Sequence, residues 1–263
     1  MPAWSDSGYL GVKTVCIYPC NGNRNLPGLH SSYVLYDAST GEPLAHLDGN
    51  EITSRRTAAA SALAASYLAA EDARTLTIVG AGRVGSLLAE AYCAVRPIEQ
   101  VFVWDIHLGK AEVLAEALRA SRIEAAATDD LEYAVRASRI VSCATLSTKP
   151  LVCGRWLRPG THLDLIGGFT ANMRESDDEC FRVGSVFIDT QEALEKAGDL
   201  LYPIQSAAFD PSNVVATLGD LCQGRHKGRR TGSEITVFKA VGTALEDLAA
   251  AALVYSQIQG VRS

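Results

Sequence analysis

Three glycines, Gly80, Gly82 and Gly85, separate a short apolar run, Thr75-Leu-Thr-Ile-Val79, from a helical pattern that begins near Val84. The chemistry this spacing supports is the binding of a pyrophosphate. Gly80 permits a tight strand-to-helix turn, Gly82 lets backbone amides approach the phosphates, and Gly85 lets the new helix pack close to the sheet. Arg83 and Val84 lie inside the same turn, where unpaired amides and the helix macrodipole favour an anion. Asp105 follows twenty positions after Gly85, at the end of Gln100–Trp104. There a carboxylate accepts from the 2′- and 3′-hydroxyls of an adenosine ribose, which favours NADH. The same carboxylate repels a 2′-phosphate, while His107 and Arg83 attract one, so NADPH stays open. A helix-capping role is the competing reading of Asp105. Thr145 and Ser147 carry hydroxyls just past another strand, either to meet the second ribose or as an ordinary polar turn.

A second group of residues stands out as cations in unfavourable places. Lys13 interrupts the apolar strand Gly11–Tyr18 and requires either solvent or an anionic partner. Arg55 and Arg56 precede an Ala-rich helix, where the macrodipole disfavours positive charge, so a substrate carboxylate or a pyrophosphate would compensate them. A solvent-facing pair is the alternative. His30 is a candidate proton donor, although a lone histidine is more often structural.

The elements that must position these groups follow from periodicity. From Leu76 onward, strands at Leu76–Val79, Gln100–Trp104, Glu124–Ala126, Ile140–Ala144, His162–Ile166 and Ser185–Asp189 alternate with crossover-length helices near 84–95, 109–120 and 131–136. Alternation of this kind predicts a doubly wound parallel α/β sheet of Rossmann type. Before it, Gly11–Tyr18, Ser32–Asp37 and Pro43–Leu47 read as strands, followed by a helix over Thr53–Ala70. Ile235 to Gln257 reads as one long helix with Val237, Val241, Leu245, Leu248 and Leu253 near one face. Both chain ends, 1–71 and 231–263, are therefore expected to form a smaller α+β substrate and dimerisation domain, with the nucleotide domain, 72–230, inserted between them.

Composition removes several classes. The 263 residues carry a net charge of −6 with dispersed cations, which disfavours nucleic acid as a partner. The basic cluster Arg225-His-Lys-Gly-Arg-Arg230 reads as a solvated loop. No apolar run approaches the roughly eighteen residues of a membrane span, and Met1-Pro-Ala-Trp opens no leader pattern, so a cytoplasmic location is expected. Seven cysteines without Cys-x-x-Cys spacing read as buried thiols, and no metal site is expected.

With these residues in place, the order of features resembles the ornithine cyclodeaminase/mu-crystallin family over nearly the whole chain. The resemblance is carried by Gly11-Val-Lys-Thr-Val15, Asp48-Gly-Asn-Glu-Ile-Thr-Ser-Arg-Arg-Thr57, Val79-Gly-Ala-Gly82, Thr161-His-Leu-Asp-Leu-Ile-Gly-Gly168 and Thr236-Val-Phe-Lys-Ala-Val-Gly-Thr-Ala-Leu-Glu-Asp247. It implies a homodimer that binds NAD(P) and a small amino or imino acid, with Lys13 and Arg56 on the substrate carboxylate. Gly167, in the matched Ile-Gly pair, joins the cofactor-binding set. Cyclodeaminases and the related alanine dehydrogenase place an Asp and a Lys where this chain has Phe169 and Met173. The form Phe169-Thr-x-x-Met-Arg-Glu175 looks instead like the ketimine reductase branch, and Leu26-Pro-Gly-Leu-His30 looks like the bacterial reductases within it. That branch implies reduction of Δ1-pyrroline-2-carboxylate to proline and of Δ1-piperideine-2-carboxylate to pipecolate. A primed iminium needs orientation more than an acidic base, with His30 expected to keep the imine protonated and Thr170 to hydrogen-bond the substrate or the cofactor amide. An amino-acid dehydrogenase or ornithine cyclodeaminase is the alternative enzyme, and a non-catalytic NADPH-binding protein the alternative of another class. The family pattern also has an N-terminal segment that completes the dimerisation domain and supplies another carboxylate-binding Arg. The sequence given opens close to the Lys13 strand, so a weaker substrate site and interface are expected.

Overall fold

The computed structural model describes residues 1–18, 21, 24, 26 and 29–262, without the side chains of 17, 261 and 262. Cys20 and the Pro27-Gly28 pair of the family resemblance lie outside the described residues. The chain divides into two compact units, 1–57 with 242–263, and 58–241.

The first unit begins with a four-stranded antiparallel sheet in sequential order: β1 (Pro2–Trp4), β2 (Tyr9–Ile17), β3 (Leu29–Asp37) and β4 (Pro43–Asp48). Alternation decides which face is covered. Lys13 pairs with Tyr33 and Gly11 with Leu35 across β2 and β3, and all four are buried. The first helix, α1 (Gly49–Leu68), starts at Gly49 because the Asp48 carboxylate accepts from the amides of Asn50 (2.7 Å) and Glu51 (3.2 Å). Ile52 from α1 packs with Ala3, Tyr33, Leu35, Leu248 and Ala251 in the core of this unit.

The second unit holds β5 (Thr75–Val79), α2 (Gly85–Cys93), β6 (Gln100–Trp104), α3 (Leu108–Ala120), β7 (Ala125–Ala127), α4 (Leu131–Ala137), β8 (Ile140–Cys143) and β9 (His162–Leu165). It continues through α5 (Asp178–Val183), β10 (Ser185–Ile188), α6 (Ala193–Lys196), α7 (Gly198–Gln205), β11 (Ala216–Thr217), α8 (Leu218–Cys222) and β12 (Thr236–Lys239); the last helix of the chain, α9 (Ala244–Arg262), belongs to the first unit. The eight strands form one sheet in the order β11-β10-β12-β9-β8-β5-β6-β7, every pair parallel. The order runs outward in both directions from the β5–β8 pair, the place where a doubly wound sheet opens a crevice for a ligand. Near-continuous apolar strands such as Ile140–Cys143, buried throughout, are what helices on both faces require.

One long helix over 235–257 is not what forms. Thr236–Lys239 is a strand inserted between β9 and β10, and all four of its residues are buried. Its β-branched and aromatic residues suit a central strand better than a helix. Gly242, at φ +79°, then turns the backbone, and Thr243 caps α9. The amide of Glu246 donates to Thr243 Oγ1 (3.2 Å) and the amide of Thr243 to the Glu246 carboxylate (3.4 Å), a reciprocal capping box.

In the basic cluster, Arg225, Lys227 and Arg230 are exposed as a solvated loop requires, and one residue departs from expectation. Arg229 is half-buried, not solvated. It donates to Leu68 O (2.7 Å) and Thr236 Oγ1 (3.2 Å), so it satisfies a carbonyl at the C-terminal end of α1. The cysteines are mixed: Cys143 and Cys180 are buried, whereas Cys16, Cys93 and Cys222 are exposed. Burial raises the Cys143 thiol well above its ordinary value and raises Cys153 more modestly, which makes packing their role. Among the described residues no helix is long and apolar enough to cross a membrane, and no three potential metal ligands cluster.

Candidate functional site

The glycine turn is built as its spacing demands. Gly80 lies at φ +104°, and a Cβ there would meet Ala144 O at 2.7 Å. At Gly85 a Cβ would come within 1.9 Å of Gly80 O, so the turn closes onto its own helix only with glycine. Around Gly82 there is open space, with nothing within 4 Å of where a Cβ would stand. Two positions thus make the turn and the third leaves room. Arg83 is exposed and Val84 half-buried at the mouth of α2.

A cavity of about 400 Å³ begins at this turn, lined by Gly80, Gly82, Asp105, His107, Thr145 and Ser147 among others. Asp105 does more than wait for a ribose. Its carboxylate accepts from the Ala81 amide (2.9 Å), inside the glycine turn, and from the His107 amide (2.9 Å). It therefore fixes the turn and also lines the cavity. Ser147 Oγ donates to Lys149 O (2.7 Å). These residues fit a dinucleotide: glycine amides for the pyrophosphate, an acid at the ribose position and apolar Trp104 and Leu151 in the wall.

Past β9, Gly167 is buried and its amide donates to Glu175 (2.7 Å). Glu175 also accepts from the Thr145 amide (2.6 Å) and hydroxyl (2.8 Å). Phe169 is 42% exposed on the same loop. Thr170 turns its hydroxyl to Asn172 (2.8 Å). Behind the loop, Asp199 accepts from the Glu175 and Ser176 amides (2.8 and 3.1 Å) and from Lys239 Nζ (3.1 Å). Sequence reasoning missed Asp199, which no local pattern marks, and gave no role to Lys239, which stood within the Thr236-Val-Phe-Lys run. Glu175 was visible within the Met-Arg-Glu run, without a role.

In the first unit, the two suspicious cations do have anionic partners, and the chain supplies them. Lys13 Nζ lies 2.6 Å from Asp247 and 3.2 Å from Thr53 Oγ1. Arg56 Nε donates to Asp247 (3.0 Å) and Nη1 to Glu246 (2.9 Å). The four groups carry two positive and two negative charges. Burial lowers the Lys13 ammonium below its ordinary value, and Asp247 opposes that shift. Tyr33, register partner of Lys13, is pushed up to about 12 by burial and then by Asp247. Arg56 sits two turns into α1, because the helix starts at Gly49, so the macrodipole argument applied to Arg55 and Arg56 loses its force. Arg55 is exposed and pairs with Glu51 on the helix surface.

His30 is not brought to Lys13. It pairs with Cys16 across β2 and β3, and both are exposed, on the face opposite the Lys13–Tyr33 pair. Glu246 and Asp247 were given no role by the sequence; Thr243-x-x-Glu246 is a capping-box pattern that marks the start of α9 but not the pairing of its first acids with Arg56.

Fold and turn together define a Rossmann-type dinucleotide-binding α/β protein. A family model described as the ornithine cyclodeaminase/mu-crystallin family matches residues 1–262. A Δ1-pyrroline-2-carboxylate reductase of Paracoccus denitrificans is 40% identical over 260 residues, covering 98% of this chain and 82% of that protein. The solved Δ1-pyrroline-2-carboxylate reductase of Thermococcus litoralis, in complex with NADH and L-proline, is 37% identical with a TM-score of 0.92, over 97% of this chain and 80% of that one. An archaeal alanine dehydrogenase dimer with bound NAD has a TM-score of 0.93 at 30% identity, over 100% and 81%. The chain belongs to the ornithine cyclodeaminase/mu-crystallin family.

Proposed function

We propose that this protein is an NAD(P)H-dependent reductase of cyclic ketimine carboxylates, with Δ1-pyrroline-2-carboxylate as the first substrate and Δ1-piperideine-2-carboxylate as the second. The observation that carries this reading is the loop after β9. Its only acid between positions 166 and 176 is Glu175, which is buried and occupied with three donors from Thr145 and Gly167. A deaminating or dehydrogenating enzyme needs a base at the substrate amine, and Phe169 stands at the matching position. Reduction of an iminium needs none there.

In this reading Lys13 and Arg56 hold the substrate carboxylate, while Asp247 and Glu246 orient both cations beforehand. The bonds of Arg56 through Nε and Nη1 fix the plane of its guanidinium. The reduced nicotinamide supplies the hydride when bound. Asp105 and the glycine turn hold the adenosine end, and the acid favours NADH over NADPH. Relatives in complex with NADH and with NAD support a nicotinamide cofactor, and the archaeal dimer supports a homodimer in this chain as well. The same relative favours one competing reading, an amino-acid dehydrogenase.

Loss of NAD(P)H absorbance with pyrroline-2-carboxylate, set against alanine or ornithine with oxidised cofactor, separates the two. Turnover of the imine is expected; turnover of alanine or ornithine alone would sink the reductase reading.

A further inference from the structure

Glu175 is fully buried, yet among the described residues it makes no salt bridge. What it does is join two loops. Oε1 accepts from both the amide and the hydroxyl of Thr145 on the loop after β8, and Oε2 accepts from the amide of Gly167 on the loop after β9. The loops touch at this point: a Cβ at Gly167 would lie 1.9 Å from Thr145 O. The backbone of Glu175 is held separately, through its amide to Asp199 and its carbonyl to the amides of Leu151 (2.8 Å) and Val152 (3.0 Å).

We infer that Glu175 is a positioning residue whose ionised carboxylate locks the Thr145 loop to the Gly167 loop and so shapes the cofactor-facing end of the sheet. This rests on the nicotinamide-cofactor reading above. An ionised carboxylate accepts all three donors at full strength; a protonated one accepts more weakly and carries an O–H that the Thr145 and Gly167 amides cannot receive. The lock therefore depends on charge. Burial is the largest influence on Glu175; Lys239 on β12 favours ionisation and Asp199 on α7 opposes it, with the Cys143 thiol at the end of β8 also facing the acid. Together they push it up to about 7. The folded lock is then complete above that pH and is lost as pH falls through it.

Binding of NADH alone, followed by its fluorescence from pH 8 to pH 6, tests this without any substrate. If binding requires the ionised acid, the wild-type Kd rises about tenfold over that interval, the ratio for one proton with a pKa near 7. Glu175→Gln, which turns an amide NH2 toward an existing donor, is expected to bind weakly at every pH with no slope. A flat wild-type series overturns the lock, and so does a Glu175→Gln protein that keeps the wild-type slope. If that variant does not fold, His107→Asn replaces it: the slope must survive, and its disappearance assigns the effect to His107 and overturns the proposal. Absence of NADH binding by the wild type at any pH rejects the cofactor reading itself, a result distinct from a flat series.

Discussion

The glycine turn and the Lys13–Arg56 cluster solve opposite problems. Gly80, Gly82 and Gly85 lie within six consecutive residues and work by leaving atoms out, so that backbone amides remain open to an anion. The cluster draws Lys13 from β2, Arg56 from α1 and Glu246 and Asp247 from α9, and works by filling every charge with an opposite one. Asp247 is fully buried and Lys13 nearly so. One site is sensitive to added atoms, the other to removed charges.

That contrast can be broken experimentally, and the largest effect is expected in the cluster. Asp247→Ala leaves Lys13 without its anion and takes one of two partners from Arg56. Removal of one member of a buried pair costs about 3–5 kcal/mol. Urea unfolding of the variant measures it, and a change below about 1 kcal/mol would mean that the charges are solvated and the cluster is not a buried network. Within the turn, the expected effects divide by position. Gly85→Ala forces a Cβ into Gly80 O and is expected to destabilise by about 1–3 kcal/mol and to weaken NADH binding. Gly82→Ala meets open space, so its stability should stay within about 0.5 kcal/mol while NADH affinity falls, because the new methyl occupies the approach to the pyrophosphate. Equal losses of stability at both positions would erase the distinction between turn-making and room-leaving glycines. The smallest effect belongs to Arg55→Ala. That exposed pair with Glu51 is worth under about 0.5 kcal/mol, and imine turnover should be unchanged, in contrast to Arg56→Ala one position later.

The same contrast explains what could be read in advance. The parallel sheet and the glycine turn were legible because each is a contiguous pattern: Gln100–Trp104 is the same segment in the periodicity and in β6. Lys13 and Arg56 were legible only as misplaced cations. Their partners were not, since 190 and 191 positions separate Arg56 from Glu246 and Asp247. β12 was hidden by its neighbour. Val237 and Val241 continue the apolar spacing of α9 by chance, and only Thr243-x-x-Glu246 and the glycine before it mark where the period changes. Glu175, Asp199 and Lys239 form a buried polar group that exists only once the loop after β9, the start of α7 and the end of β12 are brought together.

Gly242 carries a consequence for any mutational survey of this protein. Its Cβ would fall 2.3 Å from Arg56 Nη1 and 2.5 Å from Nη2, and its φ of +79° already disfavours every other residue. A substitution there evicts the guanidinium from its seat. In a saturation library scored by growth or by turnover, position 242 would thus register as intolerant alongside the residues that touch ligand. Its intolerance would come from the displaced Arg56 and not from any contact of position 242 with ligand.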